Sequence, residues 1–303
     1  MNFSFIRYTQ PGWKFNIKPT AKLFSVCLYH PTILPLPNNV HIEVDEQYET
    51  EAAKNADIAY QAFHKGCLTK ATQEQLQEIE ALGKPSIKDE YLFIKKYWGT
   101  PWVMYALVRR LLSFKNPFTE IKAYLKTKKV AKFNLYKEPV INENYQSFNS
   151  TLVQEQPLVS VIIPTLNRYV YLKDVMEDLE KQDYKNFDVI VVDQSDPFDA
   201  NFYKKFNLNL TVIEQKEKLL WTARNNAVKA SKANYLLFFD DDSRVDADWI
   251  TQHIKTLDYF NADISAGVSL AVIGGKIPDS YNFFRWADQF DSGNALVKRE
   301  IFS

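Results

Sequence analysis

Three consecutive carboxylates, Asp240, Asp241 and Asp242, stand directly after the apolar run 235–239. Such a run is typical of a strand buried on both faces of a parallel sheet, and open parallel sheets bind ligands at their carboxyl edge. Because alternate residues of an extended chain share a face, Asp240 and Asp242 can converge on one ion. Their oxygen ligands favour Mg²⁺ or Mn²⁺, which also take substrate phosphates as ligands. A solvated acidic turn, or an N-cap cluster for the following helix, is the alternative.

Polar residues also follow two other predicted strands, 158–163 and 187–192. Since the carboxyl ends of parallel strands meet at one edge, all three strand ends are expected to line one crevice. No glycine-rich loop follows the first strand, so the dinucleotide fingerprint and the P-loop are excluded, and a nucleotide would be held by side chains and a metal. The residues expected to bind this nucleotide are Thr165, Asn167, Arg168, Asp193, Arg224, Asn225 and Asp241.

These residues suit different parts of a nucleotide. Thr165, Asn167 and Arg168 are expected to meet the base or the ribose. Asp193 is expected to accept a hydrogen bond from a base N–H, and Arg224, near a helix start, to bind a diphosphate with its planar guanidinium. Three alternatives stay open: Asp193 as a turn former, Asn167 as a helix cap, and Arg224 as an exposed helix residue.

Strands and helices alternate in the part of the chain that must position these residues. This rhythm predicts an α/β fold with a mostly parallel sheet flanked by helices. The predicted strands are 158–163, 187–192, 210–213 and 235–239, with further strand expected in 264–273, and the predicted helices are 170–181, 219–231 and 249–260.

The composition predicts two regions, an N-terminal accessory region 1–150 and a domain 151–303. The prolines of 1–45 indicate short strands and turns, and the composition of 46–82 favours helices. Residues 138–157 are polar and are expected to form a linker.

The stretch 91–137 combines an aromatic face with positive charge. Residues 91–112 place Trp98 and Trp102 among aliphatic side chains, and residues 109–137 carry nine basic residues against one acid, Glu120. An amphipathic helix of this kind can lie on an anionic membrane surface. The alternative is a core helix that packs on the domain 151–303 and has a solvated basic face. No nucleic-acid-reading motif accompanies the charge, so we expect no nucleic-acid partner.

The bulk properties indicate an intracellular protein. Lys and Arg together number 37, as do Asp and Glu, but residues 1–150 carry 20 basic and 14 acidic side chains, and residues 151–303 carry 17 and 23. Cys27 and Cys67 lack metal-like spacing, which favours free thiols in a reducing compartment. With no leader-like or membrane-spanning apolar run, the chain is expected to be cytoplasmic, or peripheral to the inner face of the membrane.

Five segments resemble the family 2 glycosyltransferases, which have the GT-A fold. They are VSVIIPTLNR (159–168), DVIVVDQSD (188–196), LLWTARNNAVKAS (219–231), YLLFFDDDSRVDADWI (235–250) and SGNALVKREIF (292–302). The resemblance implies a UDP-, GDP- or dTDP-linked sugar donor, a glycan or lipid-linked acceptor in cell-envelope polysaccharide synthesis, and a divalent metal on a DXD motif. It also implies inversion at the anomeric carbon.

The resemblance assigns roles to single residues. Asp242 matches the direct metal ligand, Asp240 the acid that faces ribose and metal, and Asp193 the aspartate that reads the base. Residues 293–299 match a segment on the acceptor side.

One part of the family pattern is missing. Members continue with a second acidic motif that supplies the catalytic base, and this sequence ends before it, so we expect a domain that is incomplete at its C-terminus. Asp288 and Asp291 are the late acids, and Asp291 is the candidate base. Two other functions stay open: a non-catalytic protein that binds nucleotide sugars, and a sugar-nucleotide nucleotidyltransferase, although the latter normally carries a glycine-rich loop after the first strand.

Overall fold

The computed structural model describes residues 3–9, 27–28, 40–69, 72–138, 140, 142–271, 274–285 and 290–302. The contacts between residues divide the chain into two compact units. One comprises Met1–Asn142 with Lys276–Asp288, and the other comprises Glu143–Gly275 with Gln289–Ser303. The predicted domains 1–150 and 151–303 remain a prediction, and nothing in the sequence indicated that 276–288 would group with the first unit.

The described part of the first unit is mainly helical. Its elements are β1 (Cys27–Leu28), α1 (Glu51–His64), β2 (Leu68–Thr69), α2 (Gln73–Ala81), α3 (Ile87–Trp98), α4 (Thr100–Leu112) and α5 (Pro117–Thr127). The helices predicted within 46–82 are thus confirmed, and a capping box on Thr72 begins α2. Most of the stretch 1–45, predicted to form short strands and turns, lies outside the described residues.

Gly99 separates α3 from α4. Its φ of 83° is a left-handed conformation that glycine adopts without strain. In α3 the side chains of Tyr91 and Phe93 are fully buried among residues of the first unit, so α3 is a core helix of that unit, and its predicted packing on the domain 151–303 remains a prediction. In α4 the apolar face that includes Met104 and Leu112 is exposed. None of the helices among the described residues is long and apolar enough to cross a membrane.

The second unit is built on a six-stranded sheet. Its elements are α6 (Glu143–Ser147), α7 (Thr151–Glu155), β3 (Val159–Thr165), α8 (Tyr169–Glu180), β4 (Phe187–Asp193), α9 (Ala200–Tyr203), β5 (Leu210–Glu214), α10 (Leu220–Ala230), β6 (Tyr235–Phe239), α11 (Trp249–Phe260), β7 (Ile264–Ala266) and β8 (Asn294–Lys298). The strand order is β5-β4-β3-β6-β8-β7. β5, β4, β3 and β6 are parallel, whereas β8 pairs antiparallel with both β6 and β7. The predicted α/β fold with a mostly parallel sheet is confirmed.

Helices cover both faces of this sheet, as the alternation predicted. The apolar side chains of α8 and α11, such as Leu172 and Ile254, pack with Val161 and Ile163 on one face. Ala223 and its neighbours in α10 pack on the other face. Because β3, β4 and β6 are buried between these layers, the residues that follow them are carried to one edge of a rigid scaffold.

Two sequence expectations need correction. Strand structure in the predicted stretch 264–273 is limited to β7 within the described residues, and the linker expected over 138–157 contains the short helices α6 and α7. Ser150 caps α7 and also donates a hydrogen bond to Asp258 Oδ2 of α11 at 2.6 Å. The segment before β3 is therefore attached to the second unit by hydrogen bonds.

Candidate active site

The three acids after β6 have different surroundings. Asp241 is buried, Asp240 is half-buried, and Asp242 is exposed. Asp241 accepts hydrogen bonds from Thr165 Oγ1 at 2.7 Å and from Arg168 Nη1 at 3.2 Å. Asp241 and Thr165 therefore join the ends of β6 and β3. The nucleotide-binding role predicted for both residues remains a prediction.

Arg168 and Asn167 form the loop after β3. Arg168 Nη1 donates to Asp242 Oδ2 at 2.7 Å, so this guanidinium lies against the acids. Asn167 has a φ of 57° and does not cap α8, because its Oδ1 accepts from the backbone N–H of Asp196 at 3.0 Å. Its own N–H donates to Ser195 Oγ at 2.7 Å. The helix-cap alternative for Asn167 is wrong, and the residue instead joins the loops after β3 and β4.

Asp193 is fully buried at the end of β4. Its Oδ2 accepts from the hydroxyls of Tyr169 at 2.6 Å and Tyr203 at 2.7 Å, and its Oδ1 accepts from the N–H of Ser195 at 2.8 Å. Burial and the hydrogen bond to Asp193 raise the pKa of Tyr169 and Tyr203, so both hydroxyls stay protonated and donate. This arrangement argues against the predicted contact between Asp193 and a nucleotide base. It fits the alternative in which Asp193 shapes the turn after β4.

Arg224 lies in the first turns of α10 and contacts Asp240. It is 5 % exposed, so the alternative of an exposed helix residue is wrong. Its Nη2 donates to Asp240 Oδ1 at 2.9 Å, and its guanidinium lies 5.3 Å from the ring centroid of the exposed Trp221. Its Nε–H is buried and has no hydrogen-bond partner among the described residues. Asn225, next in the helix, is exposed, and it is Asn226 that bonds to Gln215, at 2.9 Å.

The segment before β8 approaches Asp240 from a further direction. Gly293 packs so closely that an added Cβ would lie 2.2 Å from Asp240 Oδ2. The exposed Asp291 accepts a hydrogen bond from the N–H of Gly293 at its Oδ1, at 3.0 Å. Asp288 lies outside the described residues. The structure therefore brings Asp291 near the acids after β6, which the sequence suggested only through the family resemblance.

The acids outnumber the cations at this edge of the sheet. Burial raises the pKa of the Asp240 carboxyl above its ordinary value, and the Arg224 guanidinium only partly opposes this shift. The other acids that raise it are Asp242, Asp291 and Asp241. Four carboxylates thus face the guanidinium groups of Arg168 and Arg224, and the excess of negative charge favours a cation. No group of three or more His, Cys, Asp or Glu side chains is arranged to hold a metal within the described ranges.

We expect Gly293→Ala to weaken any ligand that binds Asp240, because the new methyl group would displace that carboxylate. The measurement is the metal-dependent Kd of a nucleoside diphosphate by calorimetry, with an expected rise of about tenfold for a displacement worth about 1.4 kcal/mol. The same substitution in an Asp240→Ala background is the control. It should have little further effect there, and equal losses in both backgrounds would contradict the steric explanation.

A hydrogen-bond network of side chains holds Asn294, which follows Gly293 at the start of β8. Asn294 Oδ1 accepts from Trp249 Nε1 at 3.0 Å and lies 3.0 Å from His253 Nε2. His253 Nδ1 lies 3.0 Å from Ser265 Oγ. Burial lowers the pKa of His253 to about 4. The sequence did not predict this network, because nothing around a single histidine in a helix indicates which distant side chains it will contact.

The lowered pKa of His253 predicts an acid-sensitive fold. The stabilisation that comes from the neutral, buried His253 is fully present above the ordinary pKa of 6.5. It is lost as the pH falls from 6.5 towards 4, because the unfolded chain binds the proton first. Between pH 7 and pH 5 the loss is about 2 kcal/mol of unfolding free energy. Urea titrations at both pH values should show a smaller loss in His253→Gln than in the wild type. His41→Gln, at an exposed histidine, should retain the wild-type loss.

Comparisons with known proteins give similarities to glycosyltransferases. Residues 160–301 match the family model of Glycosyl transferase family 2. Glycosyltransferase GlyA of Streptococcus pneumoniae is 30% identical over 113 residues, which are 36% of this chain and 16% of that protein. Poly(ribitol-phosphate) beta-N-acetylglucosaminyltransferase TarS of Staphylococcus aureus is 27% identical over 128 residues, 40% of this chain and 22% of that protein. The chain thus spans less than a third of these curated relatives.

Two solved structures are similar to part of this chain. The S. aureus TarS 1–349 structure has 28% identity and a TM-score of 0.37 over 40% of this chain and 38% of that one. The mannosyltransferase PcManGT from Pyrobaculum calidifontis, in complex with GDP-Man and Mn²⁺, has 20% identity and a TM-score of 0.41 over 53% of this chain and 50% of that one.

Proposed function

We propose that this chain binds a nucleoside-diphosphate sugar and transfers the sugar to an acceptor hydroxyl, because its residues 160–301 match the family model of Glycosyl transferase family 2. The observation that carries this proposal is the buried Nε–H of Arg224, beside the partly exposed Asp240, for which no described residue supplies a hydrogen-bond acceptor. A buried, charged donor without an acceptor costs free energy, and a diphosphate oxygen would supply the missing acceptor.

We propose that Asp240 and Asp242 hold a divalent cation, Mg²⁺ or Mn²⁺, together with the donor. The residues fit such an ion, since the guanidinium groups of Arg168 and Arg224 do not balance the four carboxylates at this edge of the sheet. Magnesium is commonly held by one or two carboxylates plus substrate phosphates, so a set of three acidic ligands is not required. When bound, the ion would stabilise the negative charge that develops on the departing diphosphate.

Arg224, at Asp240, and Arg168, at Asp241 and Asp242, would both bind the donor. Asp240 fixes the Arg224 guanidinium through Nη2, which leaves Nε–H for a phosphate oxygen. Arg168, whose side chain is half exposed, bridges Asp241 and Asp242 and can turn towards a phosphate or ribose. Asn167 and Asn225 stay proposals for the nucleoside. UDP, GDP and dTDP are the candidate carriers, and Asp193 is not proposed as a base contact because it is fully buried and already accepts three hydrogen bonds.

Transfer also needs a base that removes the proton of the acceptor hydroxyl. Asp291 is the proposed base, because it is exposed, lies near the acids and keeps an oxygen beyond the one bonded to Gly293. A base on the side of the sugar opposite to the diphosphate would give inversion at the anomeric carbon. The acceptor class, a glycan or a lipid-linked glycan of the cell envelope, is likewise a proposal, as is the cytoplasmic location.

Calorimetry with UDP, GDP and dTDP, each with and without Mn²⁺ or Mg²⁺, tests the donor-binding part. We expect one diphosphate to bind with an affinity that depends on the metal. Absence of metal-dependent binding for all three nucleotides would sink the proposal. Binding without hydrolysis or transfer of any sugar from a donor panel would instead favour the non-catalytic alternative.

A further inference from the structure

Helices α4 and α5 of the first unit form a hairpin with an exposed apolar surface. In α4 the exposed apolar side chains are spaced by three to four residues, and a second set in α5 follows the same spacing, which places each set on one helix face. The most exposed part is the connection between the helices with the helix ends next to it, where Leu112 is 72%, Phe114 99% and Phe118 84% exposed. The full set is Met104, Tyr105, Val108, Leu112, Phe114, Phe118, Ile121 and Leu125.

The opposite faces of both helices are buried and hold the hairpin rigid. Arg110 and Glu120 form a bidentate ion pair, with Nε–Oε2 at 2.8 Å and Nη2–Oε1 at 2.6 Å. Tyr91 of α3 donates to the same carboxylate at 2.7 Å. The exposed apolar side chains are therefore displayed on a fixed support, so little conformational entropy is lost when a partner covers them.

The exposed charge of the hairpin is of one sign. Glu120, the only acid in residues 100–137, is buried and neutralised by Arg110. Lys126 lies 3.4 Å from Glu49, a pair of exposed side chains that contributes little. The exposed basic residues of the hairpin are Arg109, Lys115, Lys122 and Lys126, and those of the segment that follows α5 are Lys128, Lys129, Lys132 and Lys137.

We propose that this α4–α5 hairpin docks on the surface of a bilayer that contains anionic lipids, with residues 112–118 entering the headgroup region. An apolar face with aromatic side chains, bordered by Lys and Arg, is typical of protein segments that lie in the membrane interface. A shallow groove lined by Phe118, Ile121, Lys122, Leu125 and Lys126 combines apolar and cationic side chains in the same way.

The charge distribution favours lipid over protein as the occupant. Lysine is depleted at protein–protein interfaces, whereas this surface is rich in lysine. A second copy of the chain would bring like charges together, which opposes self-association. The inference goes beyond the proposed transferase function, because membrane docking requires neither donor nor metal.

Vesicle flotation of the full chain, without nucleotide, tests the proposal on unaltered protein. We expect binding to vesicles of phosphatidylcholine with phosphatidylglycerol, weaker binding at 0.5 M salt, and little binding to pure phosphatidylcholine. Salt sensitivity is expected because electrostatic attraction to the surface is screened by ions. No binding to anionic vesicles at low salt, or equal binding to both vesicle types, would overturn the proposal.

Substitutions then assign the binding to the hairpin. Phe114→Ser with Phe118→Ser, and separately Lys115→Glu with Lys122→Glu, are each expected to lower the vesicle partition coefficient by about tenfold or more. Circular dichroism checks that the folded state is kept, which is expected because all four side chains are exposed.

The matched controls lie in the second unit. Val170→Ser with Tyr171→Ser removes exposed apolar side chains, and Lys229→Glu with Lys232→Glu reverses exposed charges. Controls that lower binding as much as the hairpin variants would overturn the assignment. So would sedimentation showing that wild-type chains self-associate through Phe114 and Phe118 and do not float with vesicles, since a second copy would then cover the surface.

Discussion

Asp242→Ala is expected to lower the metal-dependent affinity for a nucleoside diphosphate by about a hundredfold or more. The ion would be held by only one or two carboxylates, so loss of one removes much of its protein ligation. Asp242 is exposed, and its hydrogen bond is to the half-exposed Arg168, so the free energy of unfolding should change little. Titration calorimetry with UDP, GDP and dTDP in Mn²⁺ and in chelator measures the effect.

A matched control for this experiment lies in the same loop. Asp246→Ala removes an exposed carboxylate of equal charge, and its side chain lies four residues beyond Asp242. We expect this variant to bind as the wild type does. If Asp242→Ala also kept its affinity, the cation site proposed at Asp240 and Asp242 would be wrong.

A second test of the same site uses Arg168, whose removal is expected to strengthen cation binding, whereas removal of Asp242 is expected to weaken it. Its Nη1 lies 2.7 Å from Asp242 Oδ2, so a cation that binds Asp242 must compete with this guanidinium. Arg168→Met should therefore raise the affinity for Mn²⁺ alone, measured by electron paramagnetic resonance, by about fivefold for a competing interaction worth about 1 kcal/mol. The same variant should bind the nucleotide more weakly if Arg168 contacts it. Weaker binding of Mn²⁺ alone would contradict the competition.

The sequence was sufficient to predict the parallel part of the sheet. β3, β4 and β6 are short apolar runs that end in polar residues, and the helices between them have a regular apolar spacing, so local pattern and tertiary burial agree. The position of the acids at the sheet edge follows from this topology. Arg224 was also predictable, because a guanidinium early in a helix that follows β5 is carried to the same edge.

Long-range hydrogen bonding could not be predicted. Asp193 stands at a strand end, where a ligand contact was expected, but tyrosines of α8 and α9 occupy its carboxylate. No local pattern indicates that Tyr169 and Tyr203 would converge there, since their separation in sequence is set by the tertiary fold. For the same reason, the sequence does not predict the insertion of β8 between β6 and β7 or the packing of Gly293 on Asp240.

Which face of the stretch 91–137 is exposed could also not be predicted from the sequence. Trp98 and Trp102 suggested one amphipathic surface, but Gly99 divides the stretch and α3 is buried. The exposed apolar side chains lie in α4 and α5 instead. Aromatic and aliphatic spacing marks a face that is covered by something, and only the tertiary structure shows whether the protein itself covers it.

Arg224→Lys is expected to lower the affinity for a nucleoside diphosphate by about tenfold to a hundredfold, with little effect on the nucleoside alone. Lysine keeps the positive charge next to Asp240, but it lacks the planar fork in which Nη2 holds Asp240 while Nε–H remains for a phosphate. Binding of uridine, UMP and UDP, or the corresponding guanosine series, measures the contribution of each phosphate. The loss should appear only when the second phosphate is present.

Measuring this binding at several pH values separates two roles of Arg224: the hydrogen bond that it donates to the diphosphate, and its effect on the ionisation of Asp240. In Arg224→Met the pKa of Asp240 is expected to rise further, because the guanidinium that lowers it is gone. Metal-dependent binding by Arg224→Met should then weaken more steeply as the pH is lowered than binding by the wild type or by Arg224→Lys. Arg109→Met, at an exposed arginine of α4, is the control and should bind as the wild type does. Full recovery of diphosphate binding by Arg224→Met at pH 8 would show that Arg224 serves only to keep Asp240 charged, and the proposed contact with the diphosphate would have to be abandoned.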